Sequence, residues 1–202
     1  MSPRRRLCFD PDCPNMSESR FHSHEWKGFY QGAKELVPHG MPIPLVMSVE
    51  TRAFVDATHA SDKMNRRSQS GMLIFVNRAP IIFCSKKQNS VETSTFGSEF
   101  TAMKLAVEFV KGLRHKLRMF GVPIDGPAFM YCDNEVAHKN MSIPESVLNK
   151  KMHGISYHFC REAVAADVVR VAKEGTLSNL ADLFTKVMGK VKRDDVLGRF
   201  MC

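Results

Sequence analysis

Two β-rich runs, GMLIFV and APIIFC, stand only Asn77 and Arg78 apart. So short a link cannot carry a crossover between parallel strands, so the runs must pair as an antiparallel hairpin, and the middle of the chain is committed to a sheet. Upstream, TRAFVDA (51–57) alternates, with Arg52, Phe54 and Asp56 on one side and Ala53 and Val55 on the other, as a further strand would. FMYC (129–132) and VVRVA (168–172) are two more apolar runs of strand length.

Between the hairpin and FMYC the apolar period lengthens. Met103, Ala106, Val110, Leu113, Leu117 and Phe120 recur at spacings of three and four, the stripe of a helix packed on a sheet, and the Thr93-Ser94-Thr95 run supplies its N-cap. Lys104, Glu108, Lys111, His115 and Arg118 fall on the opposite, solvated face. Ser142, three residues before Glu145, has capping-box spacing and predicts a helix start that runs to about Ala166; Ser178 predicts the cap of a last helix carrying Asp182, with Lys186 four residues on as its ion-pair partner. The order is three strands, helix, strand, two helices, strand, helix. Three antiparallel strands followed by alternating helices and strands predict an α/β fold, a mixed five-stranded sheet with helices against it.

Residues 1–46 show little periodicity and several prolines, and are expected to form a poorly structured extension and linker with a short helix near Trp26–Leu36. The domain is expected at 47–188 and a C-terminal tail at 189–202. Cys8, Cys13, His22 and His24 have C-x4-C and H-x-H spacings unlike those of common zinc modules, and a zinc site is set aside. Six cysteines without C-x-x-C pairing and no apolar run of roughly 18 to 20 residues predict a soluble, unexported, intracellular protein, cytoplasmic or nuclear, with no membrane partner. A formal charge of +8 spread through the folded pattern favours a polyanionic partner.

Four acids occupy comparable places: Asp56 and Asp133 at strand ends, Glu99 at the start of the buried helix stripe, Asp182 in the first turns of the last helix. A glutamate on a buried face is costly unless paired, protonated or bound to a cation. Four converging carboxylates would repel one another, and hard divalent cations with oxygen ligands resolve that repulsion, which favours Mg²⁺ or Mn²⁺ over zinc.

FVDATHASD, RRSQSG, RAPIIFCSKKQ, VETSTFGSEFTAM, YCDN, SYHFCRE and NLADLFTK, in this order over roughly residues 46–188, resemble the ribonuclease H domain of copia-type retrotransposon Pol polyproteins. The resemblance implies a ribonuclease H-like fold and endonucleolytic cleavage of the RNA strand of RNA–DNA hybrids. It places Asp56, Glu99, Asp133 and Asp182 at the catalytic, metal-binding carboxylate positions. The cofactor it implies is a pair of Mg²⁺ ions, with Mn²⁺ as substitute, in two-metal phosphodiester hydrolysis that leaves a 3′-hydroxyl and a 5′-phosphate. The partners it implies are the RNA–DNA hybrid and a reverse transcriptase domain of the same element.

Arg66, Arg67, Lys86 and Lys87 flank the hairpin within matched motifs and are the candidates for contacting the hybrid backbone. The loop before Asp182, KEGTLSN, lacks the histidine common in cellular and retroviral ribonucleases H; His153 and His158 lie earlier, on the expected helix, where a histidine packs or sits at the surface. The competing expectation is a fragment that folds, binds nucleic acid and cuts nothing. Retention of all four acids favours the enzyme.

Overall fold

The hairpin link closes as its length requires. In the structure, a computed structural model that describes residues 29–144, 146, 148, 153–176 and 178–201, β2 (Gln69–Val76) and β3 (Ala79–Lys87) pair antiparallel around Asn77. Asn77 has φ +53°, a left-handed conformation that asparagine tolerates. β1 (Thr51–Thr58) pairs antiparallel with β2, and β4 (Ala128–Cys132) and β5 (Val169–Lys173) add in parallel. The resulting order is β3-β2-β1-β4-β5, the expected mixed five-stranded sheet. The cysteine–histidine set at 8–24, the first three residues of the expected helix at 26–36, and Glu145 lie outside the described residues; over the rest of that helix only Phe29 is helical, and 30–36 run as a turn and irregular chain.

Central β1 is buried from Thr51 to Ala57 because both faces of the sheet are covered. On one face Ala53, Val55 and Ala57 pack against Phe100, Met103, Ala106 and Val110 of α1 (Thr95–Met119). On the other, Phe54, Leu73 and Phe75 pack against Leu180 and Val196. Each large apolar side chain buried this way stabilises the fold by about 1.5–3 kcal/mol. Ser94 caps α1 as expected, its hydroxyl accepting from Gly97 N at 3.2 Å. Lys116 and Arg118 in the last turn complement the helix dipole.

Two helix starts differ from expectation. Ser142 ends a helix, α2 (Glu135–Ser142), instead of opening one. Asn134 takes the cap, its side chain accepting from Ala137 N at 3.0 Å, while Ile143, constrained by Pro144, goes extended (φ −103°, ψ 117°) and stops the helix. Helix resumes in α3 (Gly154–Ala165). Likewise Ser178 does not cap the next element. Its hydroxyl turns back to Glu174 and to Gly175 O, and the single helical turn α4 (Asp182–Thr185) begins after Ala181.

Parts of both expected flanking segments pack on the sheet and α1. Leu45 N donates to Gly121 O at 2.9 Å, Val49 bridges Ile124 in parallel, and Glu35 pairs with Arg114 and Arg118. Arg118, expected on a solvated face, is thereby held, and Phe120, expected on the buried stripe, is 72% exposed. At the other end α5 (Lys190–Leu197) buries Val196, and Phe200 meets Phe75 edge-on with ring centroids 5.9 Å apart. Among the described residues no helix is long and apolar enough to cross a membrane.

Candidate active site

Strand register brings the first two acids together. β1 and β4 run parallel with Phe54 level with Tyr131, their rings stacked at 4.9 Å, so two residues further along Asp56 stands beside Asp133. Glu99 joins them from α1. The Ser94 cap fixes the phase of that helix, whose buried face begins Gly97, Ser98, Glu99, Phe100. Asp56, Glu99 and Asp133 each offer a carboxylate oxygen, and these oxygens all lie within 4.8 Å of one another.

Asp182 comes in over the other sheet face. Asp56 is paired across the ladder with Gly71, and a Cβ at Gly71 would sit 2.6 Å from Thr185 Cγ2 and 2.9 Å from Ala181 O, so only glycine lets the α4 turn lie this close. Buried Asn179 ties the turn down: its Nδ2 donates to Val55 O at 2.9 Å and its Oδ1 accepts from Ala181 N at 3.1 Å. Thr185 donates its hydroxyl to Asp56 Oδ2, and Thr58 donates to Thr185 O at 3.0 Å. Lys186 Nζ stands 2.6 Å from Asp182 Oδ1 and 3.5 Å from Asp56 Oδ2. The expected Asp182–Lys186 ion pair is present. Gly71, Asn179 and Thr185 escaped the reading of the sequence, although all three lie in the quoted motifs, because nothing in a single chain says which sheet residue faces which turn.

The electrostatics follow from burial and crowding. Burial pushes the Glu99 carboxyl up, helped by Asp56 and Asp133, to about 9, against a favourable backbone hydrogen bond from Ala57. Asp56 is raised by burial, with the Thr185 hydroxyl and Lys186 pulling the other way, and Asp133 is raised by burial, with Lys186 pulling it down and Asp182 pushing it up. Lys186 loses solvation, which lowers it, but the Asp182 hydrogen bond and the nearby acids prevail and raise it. Glu99 is 8% exposed and its buried Oε2 has no hydrogen-bond partner. A buried orphan oxygen among like charges is what a cation would satisfy, and a donor set of carboxylate oxygens suits Mg²⁺ or Mn²⁺.

Of the four basic candidates, Lys86 and Lys87 leave β3 on opposite faces. Alternation along β3 puts Lys86 on the side of Ile82 and Cys84, which pack towards α1, and Lys87 on the side of Phe83. Lys87 is paired with Asp62. Arg66 is exposed at φ +57° in the β1–β2 loop, its N–H bonded to Asp62 O at 2.8 Å, beside half-buried Arg67. His153 is buried, with Nε2 3.4 Å from Glu92 Oε2 and its ring edge-on to Phe96; His158 shares a 2.8 Å hydrogen bond with the Tyr30 hydroxyl. Both are occupied by packing partners.

Known proteins agree with this architecture. The chain is 28% identical over 152 residues to the retrovirus-related Pol polyprotein from transposon RE1 of Arabidopsis thaliana, and 29% identical over 141 residues to that from transposon TNT 1-94 of Nicotiana tabacum. These matches cover 75% and 70% of the chain and 10% of each polyprotein, so the chain spans about a tenth of the length of those relatives. No protein-family model matches it. Among solved structures, the N-terminal RNase H domain of a Mycobacterium tuberculosis protein superposes with a TM-score of 0.52 at 11% identity, covering 75% of this chain and 98% of that one. LC11-RNase H1, solved in complex with an RNA/DNA hybrid, superposes with a TM-score of 0.52 at 14% identity, covering 67% and 93%. This is a ribonuclease H fold. The homologues of this ribonuclease H-like domain are retrovirus-related Pol polyproteins of plant transposons.

Proposed function

We propose that the domain hydrolyses the RNA strand of RNA–DNA hybrids, in a divalent-metal-dependent reaction, as part or remnant of a copia-type retrotransposon polyprotein. The observation that carries this reading is the convergence of Asp56, Glu99 and Asp133 oxygens within 4.8 Å, with Glu99 Oε2 buried and unpartnered, on a ribonuclease H fold. The polyprotein relatives and the hybrid-bound LC11-RNase H1 support the substrate. Bound Mg²⁺ or Mn²⁺ would supply an activated water and a stabilised leaving 3′ oxygen.

The chain's own residues then have distinct tasks. Asp56, central and held by the Thr185 hydroxyl, is placed to face both sides of the site; Glu99 and Asp133 complete one side and Asp182 the other. Each holds a fixed oxygen without reorganising, since β1, β4, α1 and α4 set their positions. Arg66, Arg67, Lys86 and Lys87 would contact backbone phosphates, and discrimination of RNA from DNA would rest on the 2′-hydroxyl in the wide minor groove. A reverse transcriptase domain of the same element would deliver the hybrid.

The test is incubation of the purified chain with end-labelled hybrid in Mg²⁺ and in EDTA, beside duplex RNA and duplex DNA. Cleavage of the RNA strand of the hybrid alone, lost in EDTA, is the expected result. Tight hybrid binding with no cutting in Mg²⁺ or Mn²⁺ would make it a catalytically inactive fragment instead.

A further inference from the structure

The acidic cluster has two unlike halves. On one side Glu99 Oε2 is buried without a partner, and among the described residues no ion pair reaches Glu99 or Asp133. On the other, the chain supplies its own cations. Lys186 Nζ lies 2.6 Å from Asp182 Oδ1 and 3.5 Å from Asp56 Oδ2, and Lys192 Nζ lies 3.9 Å from Asp182 Oδ2. The acids here are fixed, with Asp56 and Asp182 side chains 1% and 3% exposed, whereas Lys186 is 36% exposed on a flexible stem. The lysines are the groups free to leave, and Lys186, at 2.6 Å against 3.9 Å for Lys192, is the closer occupant.

We propose that Lys186 is a built-in counter-ion of the Asp56–Asp182 half, so that a first divalent ion enters on the Asp56–Glu99–Asp133 side and a second reaches Asp182 only by displacing the Lys186 ammonium. This rests on the metal-dependent reading above and adds an order of loading to it. An ammonium and a divalent cation repel at short range in a partly buried site, where screening is weak. The i, i+4 spacing of Asp182 and Lys186 across α4 holds the ammonium at the site, and Thr185 and Asn179 hold the turn itself. The displaced ammonium needs another anion, which the phosphates of a bound strand supply. Second-ion binding and hybrid binding are therefore expected to favour each other. Lys186 is in this sense a positioning residue for the ions.

The probe is Mn²⁺ alone, titrated into the full chain by calorimetry with paramagnetic resonance counting free ion. The wild type should show one strong class of site and a second that is weak or unfilled. Lys186→Met, which keeps the stem and removes the charge, should tighten the second class about tenfold or more and the first, which shares Asp56, by a clearly smaller factor. Lys186→Arg keeps the charge and should give no such gain. Melts in EDTA establish that each variant is folded, and Lys186→Ala serves if the Met variant is not. An unchanged or weakened second class in the charge-removing variants overturns the inference, as does equal tightening of both classes, which would mean a general field effect and not a local occupant. A wild type that binds no Mn²⁺ at all fails the metal-dependent reading and this inference together; Mn²⁺ binding that ignores Lys186 fails the inference alone.

Discussion

Helix α1 carries a buried charge cluster at each end, and the two are built in opposite ways. At its start Glu99 sits among acids, with Oε2 unpartnered, and is pushed up to about 9 by burial and by Asp56 and Asp133. At its end Arg114 and Arg118 both grip Glu35, Arg114 through Nε and Nη2 at 2.7 and 2.8 Å, Arg118 through Nη1 and Nη2 at 2.7 and 2.6 Å. Burial acts to raise Glu35, but the two guanidinium groups overcome it and hold the carboxyl down at about 2. Arg114 also donates to Gly126 O at 2.9 Å. One end is fully compensated and fastens residues 30–46 to the domain. The other is left short of positive charge, the condition in which a carboxylate cluster takes up a cation.

The comparison breaks first at Asp133. Asp133→Asn keeps the shape but removes an anionic ligand, and hybrid cleavage should fall by about 100-fold or more, the scale of losing one electrostatic stabiliser from an active site. Melting in EDTA should be unchanged or raised, because a crowded like charge has gone. Retained cleavage would remove Asp133 from the site, and marked destabilisation would make its end of the sheet as structural as the Glu35 end.

At the compensated end the expectation reverses. Glu35→Gln leaves Arg114 buried and unpaired and should cost about 2–3 kcal/mol in urea unfolding, with little change in cleavage per folded molecule. Because the folded value is depressed from 4.5 to about 2, the stabilisation is present above pH 4.5 and is lost as the pH falls towards 2. The gap between wild type and variant should close over that window. A constant gap would mean that packing of residues 30–46, and not the ion pairs, carries the effect.

Glu99 gives the mirror image. With its carboxyl raised from 4.5 to about 9, the folded chain retains between those values a proton that the unfolded chain has released, so stability in EDTA should decline as pH rises through them. Glu99→Gln should flatten that decline and be the more stable of the two, by a margin that widens as pH rises towards 9. A parallel pH profile for the two proteins would show that Glu99 is not the group titrating.

The smallest effect sharpens the contrast within α1 itself. Ser94→Ala removes the cap bond to Gly97 and should cost about 1 kcal/mol. Since Ser94 sets the phase of the turn bearing Glu99, amide exchange should quicken there and not around Arg114. Equal loosening at both ends would show that the helix opens as one unit.

The sequence by itself determined the elements whose causes are local. The two-residue link at Asn77 admitted only an antiparallel hairpin, the spacing from Met103 to Val110 admitted only a packed helix, and Ser94 capped it. The four acids were legible as strand-end and helix-start oddities, and the family resemblance singled them out. Tertiary structure decided everything that depends on residues far apart in the chain. That Ser142 ends a helix followed from competition between the Asn134 cap and the Ile143–Pro144 restriction, two local signals whose winner no spacing announces. That Arg118 is gripped depended on Glu35, some eighty residues earlier, crossing the helix. Gly71, Thr185 and Lys186 meet Asp56, and Asn179 meets the neighbouring Val55, only because strand register and the docking of α4 bring them there. Propensity and period act over one or two turns, whereas burial, charge compensation and hydrogen-bond geometry act between whichever surfaces the chain folds together, and it is those that turn four acids into a site.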